Sequence, residues 1–302
     1  MSSGKSRAAL LSVVSNTVLI ALKLVAGLLT GSIAVLTEAV HSAIDLLASV
    51  IALVSVRKAD EPADADHPYG HEKAENVAAG AEAMLILLGA AIIVTEAIRR
   101  LIGGSEVQQV GFGIAVMAVS VIANLIVSSY LYRRARDHDS AALEGDASHL
   151  RADALTSIAV LVGLAAVELT GVSEFDSIAA LVVAIAIVVT GIRLMLRSGR
   201  VLMDEALPAS ELDRIERAIA AERPAEMAGY HKLRGRRAGS RRHVDMHVQF
   251  RSGTTLEDAH RLAHHLREAI EGEIANADVL IHVEPENSLR PTAGEAGPFR
   301  HG

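Results

Sequence analysis

The sequence predicts a membrane all-α domain of six transmembrane helices, followed by a cytoplasmic α+β ferredoxin-like (αββαβ) domain. Three observations carry this prediction. Six apolar stretches of roughly 20 residues or more occupy the first two-thirds of the chain, each long enough to cross the hydrocarbon. Hydrophobic residues make up 51% of the 302 but aromatics only 3%, with no Trp, a composition that suits lipid-facing helices better than a soluble core. Beyond residue 203 the apolar runs give way to amphipathic and alternating patterns.

The spans read as 8–29, 32–56, 77–101, 110–132, 147–169 and 175–196. Thr30-Gly31-Ser32 forms the first short turn, and 57–76 is too hydrophilic to lie in lipid. Lys5, Arg7, Arg57, Lys58, Lys73, Arg133, Arg134, Arg136 and Arg200 fall on one side, and only Arg99 and Arg100 on the other. By the bias of basic residues toward the cytoplasm, both termini are expected inside, with the chain in the cell's inner membrane. This gives a transmembrane domain over 1–203.

Leu207-Pro208 interrupts the sixth helix's continuation. An amphipathic helix at 209–221, strands at 227–233 and 243–250, a helix at 256–274 and a strand at 279–283 then form the cytoplasmic domain, 204–287. The tail 288–302, with two Pro and three Gly, is expected to be disordered.

A net charge of -7 argues against a nucleic-acid partner. Thirteen His against no Cys exclude thiolate sites, so any metal must be held by imidazole and carboxylate. Two His-x-x-x-Asp pairs answer that description: His41 and Asp45 in the second span, His149 and Asp153 in the fifth. Residues four apart share a helix face, and ionisable groups inside spans mark ion paths. Two His and two carboxylates converging from two helices would suit tetrahedral Zn2+. Coplanarity of the pairs requires the fifth helix to begin earlier than hydropathy places it.

A second constellation, Asp64, His67 and His71, flanks the turn residues Pro68 and Gly70, with Asp66 competing for the carboxylate role. A third gathers His231, His247, His260, His282 and Glu284 in the cytoplasmic domain, provided they lie at one end of the sheet. His138, His243 and His301 are assigned to the surface. Asn16, Asn124 and Ser128 are expected in interhelical hydrogen bonds, Lys23 to snorkel, and Glu38, Glu82 and Glu96 to line a water path. His260-x-x-x-His264-His265 resembles one box of a membrane di-iron oxidase, but no further boxes accompany it.

In the order TEAVHSAIDLLAS, DADHPYGHEKAE, HLRADALTS, DEALP, GYHKLRGR, VDMHVQF, DAH and IHVEP, the sequence resembles the cation diffusion facilitator family. The resemblance implies a homodimeric antiporter exporting a divalent metal, foremost Zn2+ with Cd2+, Co2+ or Fe2+ as alternatives, against H+. It implies a transport site at His41, Asp45, His149 and Asp153, a loop site at Asp64, His67 and His71, and a cytoplasmic, regulatory site at the third constellation. Glu284 stands where Asp is common in that family. The resemblance also implies a charge interlock between Lys73 and Asp204.

Overall fold

Small residues line the inside of the first six helices and large aliphatics cover their outside. In the computed structural model, which describes residues 4–30, 33–103, 111–170 and 174–288, these helices are α1 (Gly4–Thr30), α2 (Ile33–Ala59), α3 (Ala74–Gly103), α4 (Gly111–His138), α5 (Ala141–Thr170) and α6 (Glu174–Leu202). Ala52, Ala79, Ala83, Ala90, Ala147 and Ala184 are fully buried, whereas Val18, Leu88, Ile126 and Ile185 face outward. That inversion of a soluble helix is what a lipid environment permits, because close packing there rests on small residues. Three stretches, Gly4–Val25, Ala74–Arg99 and Ala180–Leu202, are by length and composition apolar enough to cross a membrane among the described residues. α2, α4 and α5 match them in length, at 27, 28 and 30 residues, but buried polar side chains interrupt their apolar runs.

α5 begins at Ala141, six residues before the start that hydropathy gives. Ser140 Oγ accepts from the backbone N–H of Leu143 and so caps that end. The same hydroxyl donates to Glu75. Glu75 also takes the Lys5 amine at 2.7 Å, and Lys5 reaches Asp60 at 3.0 Å. This one cluster ties together the ends of α1, α2, α3 and α5.

The chain divides into two units, Met1–Leu202 and Met203–Gly302. In the second, α7 (Ala209–Ala221), β1 (Met227–Ala238), β2 (Arg241–Phe250), α8 (Leu256–Glu273) and β3 (Ala277–Pro285) are followed by a short 3-10 turn, Glu286–Ser288. The sheet order is β1-β2-β3, with β2 antiparallel to β1 and parallel to β3. Val244, Met246, Val248 and Phe250 of β2 pack against Ile215 and Ile219 of α7 and Leu266 and Ile270 of α8. The helices therefore cover one face of the sheet, and the alternate residues of β2 point to the other.

Three expectations are corrected. β1 runs five residues past the predicted 233, because a hairpin through Gly239 (φ +54) pairs its Arg-rich end with the start of β2. His243 is buried beside Asp278, 3.2 Å away, not at the surface. Lys23 does not snorkel; it is buried and donates to Ser42 Oγ at 2.6 Å. His301 and the rest of 289–302 lie outside the described residues.

Candidate metal centre

Within the helical unit, α2 and α5 bring Asp45 against His149. His149 Nε2 lies 3.4 Å from Asp45 Oδ1 and 3.7 Å from Asp153 Oδ2. One ligand atom from each of Asp45, His149 and Asp153 lies within 4.8 Å of the others. Asp45 and His149 are each 6% exposed. His149 Nδ1 is buried with no hydrogen-bond partner among the described residues. His41 is one turn before Asp45 on α2, and its side chain lies outside the described residues. Two carboxylates flanking one imidazole, away from water, form a donor set that fits a divalent cation.

Asp146, one turn before His149 on α5, is wholly buried and was not singled out by sequence. It accepts from Ser49 Oγ at 2.8 Å, and Ser49 in turn meets Ser12 and Asn16 of α1 at 2.9 and 2.8 Å. A hydropathy reading counts Asp146 against a span; only its hydroxyl partners on two other helices show why it is inside.

The loop between α2 and α3 folds into a tight turn around Pro68. Gly70 adopts φ +93, a left-handed conformation that glycine accepts without strain, and its N–H returns to His67 O at 3.0 Å. Asp64 Oδ1 accepts from the backbone N–H groups of Asp66 at 3.0 Å and His67 at 2.6 Å. The His67 hydrogen bond holds the Asp64 carboxyl below the usual carboxylate range. Its two oxygens then sit 3.3 Å from His67 Nδ1 and 3.2 Å from His71 Nε2. Neither ring nitrogen of the buried His71 has hydrogen-bond geometry to a partner among the described residues, an arrangement a shared cation would satisfy. Asp64, rather than Asp66, is the carboxylate of this group.

In the second unit the strand register sets three imidazoles in one row. His231 of β1 is opposite His247 of β2, which is opposite His282 of β3. Their ring centroids are 5.1 and 4.7 Å apart. Glu284, two residues beyond His282 and so on the same face, lies 2.6 Å from His247 Nδ1, 3.5 Å from His231 Nε2 and 3.6 Å from His282 Nε2. An irregularity in β1 follows His231, where Lys232 takes φ +52, and such bulges re-aim neighbouring side chains. Burial pushes the His231 imidazole down, which favours its neutral form, the one with a ring nitrogen able to ligate a metal. Burial alone would push the Glu284 carboxyl up, but hydrogen bonds from His247 and Ser288 hold it below the usual range.

His231, His247 and Glu284 have ligand atoms within 4.8 Å of one another. His260 does not join them: it is exposed on α8 with its ring 5.2 Å from that of His264. α8 packs on the sheet face that carries Met246, and the row of His occupies the opposite face.

The same two-part organisation recurs in known proteins. Residues 9–203 match the cation efflux transmembrane domain, and residues 207–286 match the cytoplasmic domain of cation efflux proteins. The chain belongs to the cation efflux, or cation diffusion facilitator, family. It is 33% identical over 279 residues to an uncharacterized transporter of Synechocystis sp., covering 92% of this chain and 89% of that one. It is 31% identical over 290 residues to the cation-efflux pump FieF of Salmonella schwarzengrund, covering 96% and 95%. Two solved chains of CzrB, one a Zn form, align with 26% and 29% of the chain at 35% and 34% identity. Each alignment covers 98% of the solved chain, with TM-scores of 0.26 and 0.27. The two family matches and the similarity to FieF make the chain a cation efflux transporter, its cytoplasmic domain following the transmembrane one.

Proposed function

We propose that this cation efflux transporter carries Zn2+ out of the cytoplasm in exchange for H+, through a site formed by His41, Asp45, His149 and Asp153. The observation that supports this reading is the buried grouping of Asp45, His149 and Asp153 between α2 and α5. Two imidazoles and two carboxylates favour Zn2+ over the oxygen-preferring cations, with Cd2+, Co2+ and Fe2+ as further substrates. His must be neutral and Asp ionised to bind, so metal and protons compete for the same lone pairs. A cytoplasmic opening near neutral pH then loads metal, and a more acidic exterior displaces it.

On this reading Asp64, His67 and His71 form a peripheral metal site. His231, His247, His282 and Glu284 form a regulatory one whose bound cation would draw the three strands' side chains onto a common charge. The protein acts as a homodimer in the inner membrane, both termini cytoplasmic, with Lys73 and Asp204 as a charge interlock.

The test is metal flux in proteoliposomes under an imposed pH gradient, with a panel of divalent metals. Zn2+ is expected to accumulate with the gradient in the native protein and not in His149→Ala. Zn2+ flux indifferent to the gradient would overturn the exchange reading.

A further inference from the structure

Glu82 of α3 is fully buried, and neither of its carboxyl oxygens has a hydrogen-bond donor among the described residues. Its carboxyl lies against Gly145 of α5, where any Cβ would collide with it and crowd the backbone of Ala79. The next residue is Asp146, also fully buried, whose Oδ2 lacks a partner among the described residues. Two ionised carboxylates so deeply buried, with three of their four oxygens lacking a hydrogen-bond partner among the described residues, are a costly arrangement that a shared positive ion relieves.

Around the pair, α1 contributes Ser12 and Asn16, α2 contributes Ser49, and α5 contributes His149, one turn beyond Asp146. Three charged groups on these packed helices have partners of their own: Arg197 of α6 meets Glu144 at 2.5 Å, Arg151 lies over the Tyr132 ring of α4, and the buried Lys23 of α1 donates to Ser42 Oγ.

We propose that Glu82 and Asp146 hold one proton between them as an ion site separate from the metal ligands, emptied when metal arrives beside His149. This deepens the proposed function and rests on its transport site. The charges balance: with one proton the pair carries one negative charge, and without it two. A divalent cation one helical turn from Asp146 offsets the second charge. The proton leaves a carboxyl O–H by way of the hydroxyls of Ser49 and Ser12.

The test counts protons released per Zn2+ bound by the full-length protein in weakly buffered detergent solution, using a pH-indicator dye. Glu82→Gln is expected to keep the native Zn2+ stoichiometry while releasing about one proton fewer per metal at the transport site, since binding there sheds whatever protons the coupled groups hold. Asp146→Asn should show the same deficit, and difference infrared spectra should lose a protonated-carboxyl band in both. Proton release equal to the native protein's would overturn the proposal, as would loss of Zn2+ at the transport site in both variants. His149→Ala separates the two readings: native Zn2+ stoichiometry there removes the transport site itself, whatever the carboxyl pair does.

Discussion

His149 Nε2 stands 3.4 Å from Asp45 Oδ1 although the residues are 104 positions apart in the chain. A second link, Ser49 to Asp146 at 2.8 Å, advances four residues on α2 and retreats three on α5. That is the register of two antiparallel helices, and it sets the two acid- and histidine-bearing turns at one depth. The contact exists because α5 starts at Ala141, with Ser140 capping it.

Asp153 completes the grouping from the turn beyond His149 and is less buried than either partner, its side chain 17% exposed. Asp153→Ala therefore removes a ligand without opening a large cavity. Metal-driven flux in proteoliposomes is expected to fall by at least about 100-fold, the upper end of what even outer-shell substitutions cost a metal site, while the protein elutes as a folded species. Flux at the native level would take Asp153 out of the transport site.

The cytoplasmic row makes an independent prediction. His247 is central, opposite both His231 and His282 and 2.6 Å from Glu284. His247→Ala should lower the full chain's Zn2+ stoichiometry while leaving the α2/α5 site loaded. His260→Ala, outside the row, should leave the stoichiometry of this unaided grouping unchanged. Calorimetric titration of the two variants checks both halves, and equal losses would mean that α8 supplies a ligand after all.

Much of this was legible in the sequence, and the gaps have physical causes. The six helices and the αββαβ order follow from apolar length and periodicity. The start of α5 did not, because Glu144, Asp146, His149 and Arg151 read as a polar loop until their partners are known: Arg197, Ser49, Asp45 and Tyr132. Likewise the Arg residues at the β1–β2 turn mask the alternation that pairing enforces. The row of His231, His247 and His282 depends on register, which no single strand's pattern contains. His260 shares their residue type but sits on a helix covering the other sheet face, a distinction only topology makes.

At the ends of α1, α2, α3 and α5, Lys5 is caught between Glu75 and Asp60 with its side chain 10% exposed, and Glu75 is almost wholly buried. Breaking a buried pair from one side costs about 3–5 kcal/mol, because the remaining charge is left without compensation. Lys5→Ala should fall in that range, stranding Glu75 with the Ser140 hydroxyl. Glu75→Gln should cost less, since the amine keeps Asp60 at 3.0 Å. Thermal unfolding midpoints in detergent rank the two, and the reverse order would show that the cluster is not organised around Lys5.

At the start of α8, the N-cap Thr255 Oγ1 accepts from the Asp258 N–H at 3.1 Å and donates to Asp258 Oδ2 at 2.7 Å. Arg261 adds a hydrogen bond to Asp258 Oδ1 at 2.8 Å. The hydrogen bonds from Arg261 and then Thr255 hold the Asp258 carboxyl below its ordinary value of 3.8. A carboxyl lowered in the folded state stabilises the fold above its unfolded value and loses that contribution as pH falls through the folded one. Amide exchange in the first turn of α8 should therefore keep its protection, relative to intrinsic exchange, from neutral pH down to near 3.8 and lose it below. Thr255→Ala should weaken the same amides by about 1 kcal/mol, roughly fivefold in protection, at every pH above that window. Protection that declines steadily from neutral pH would assign the cap's stability to another titrating group.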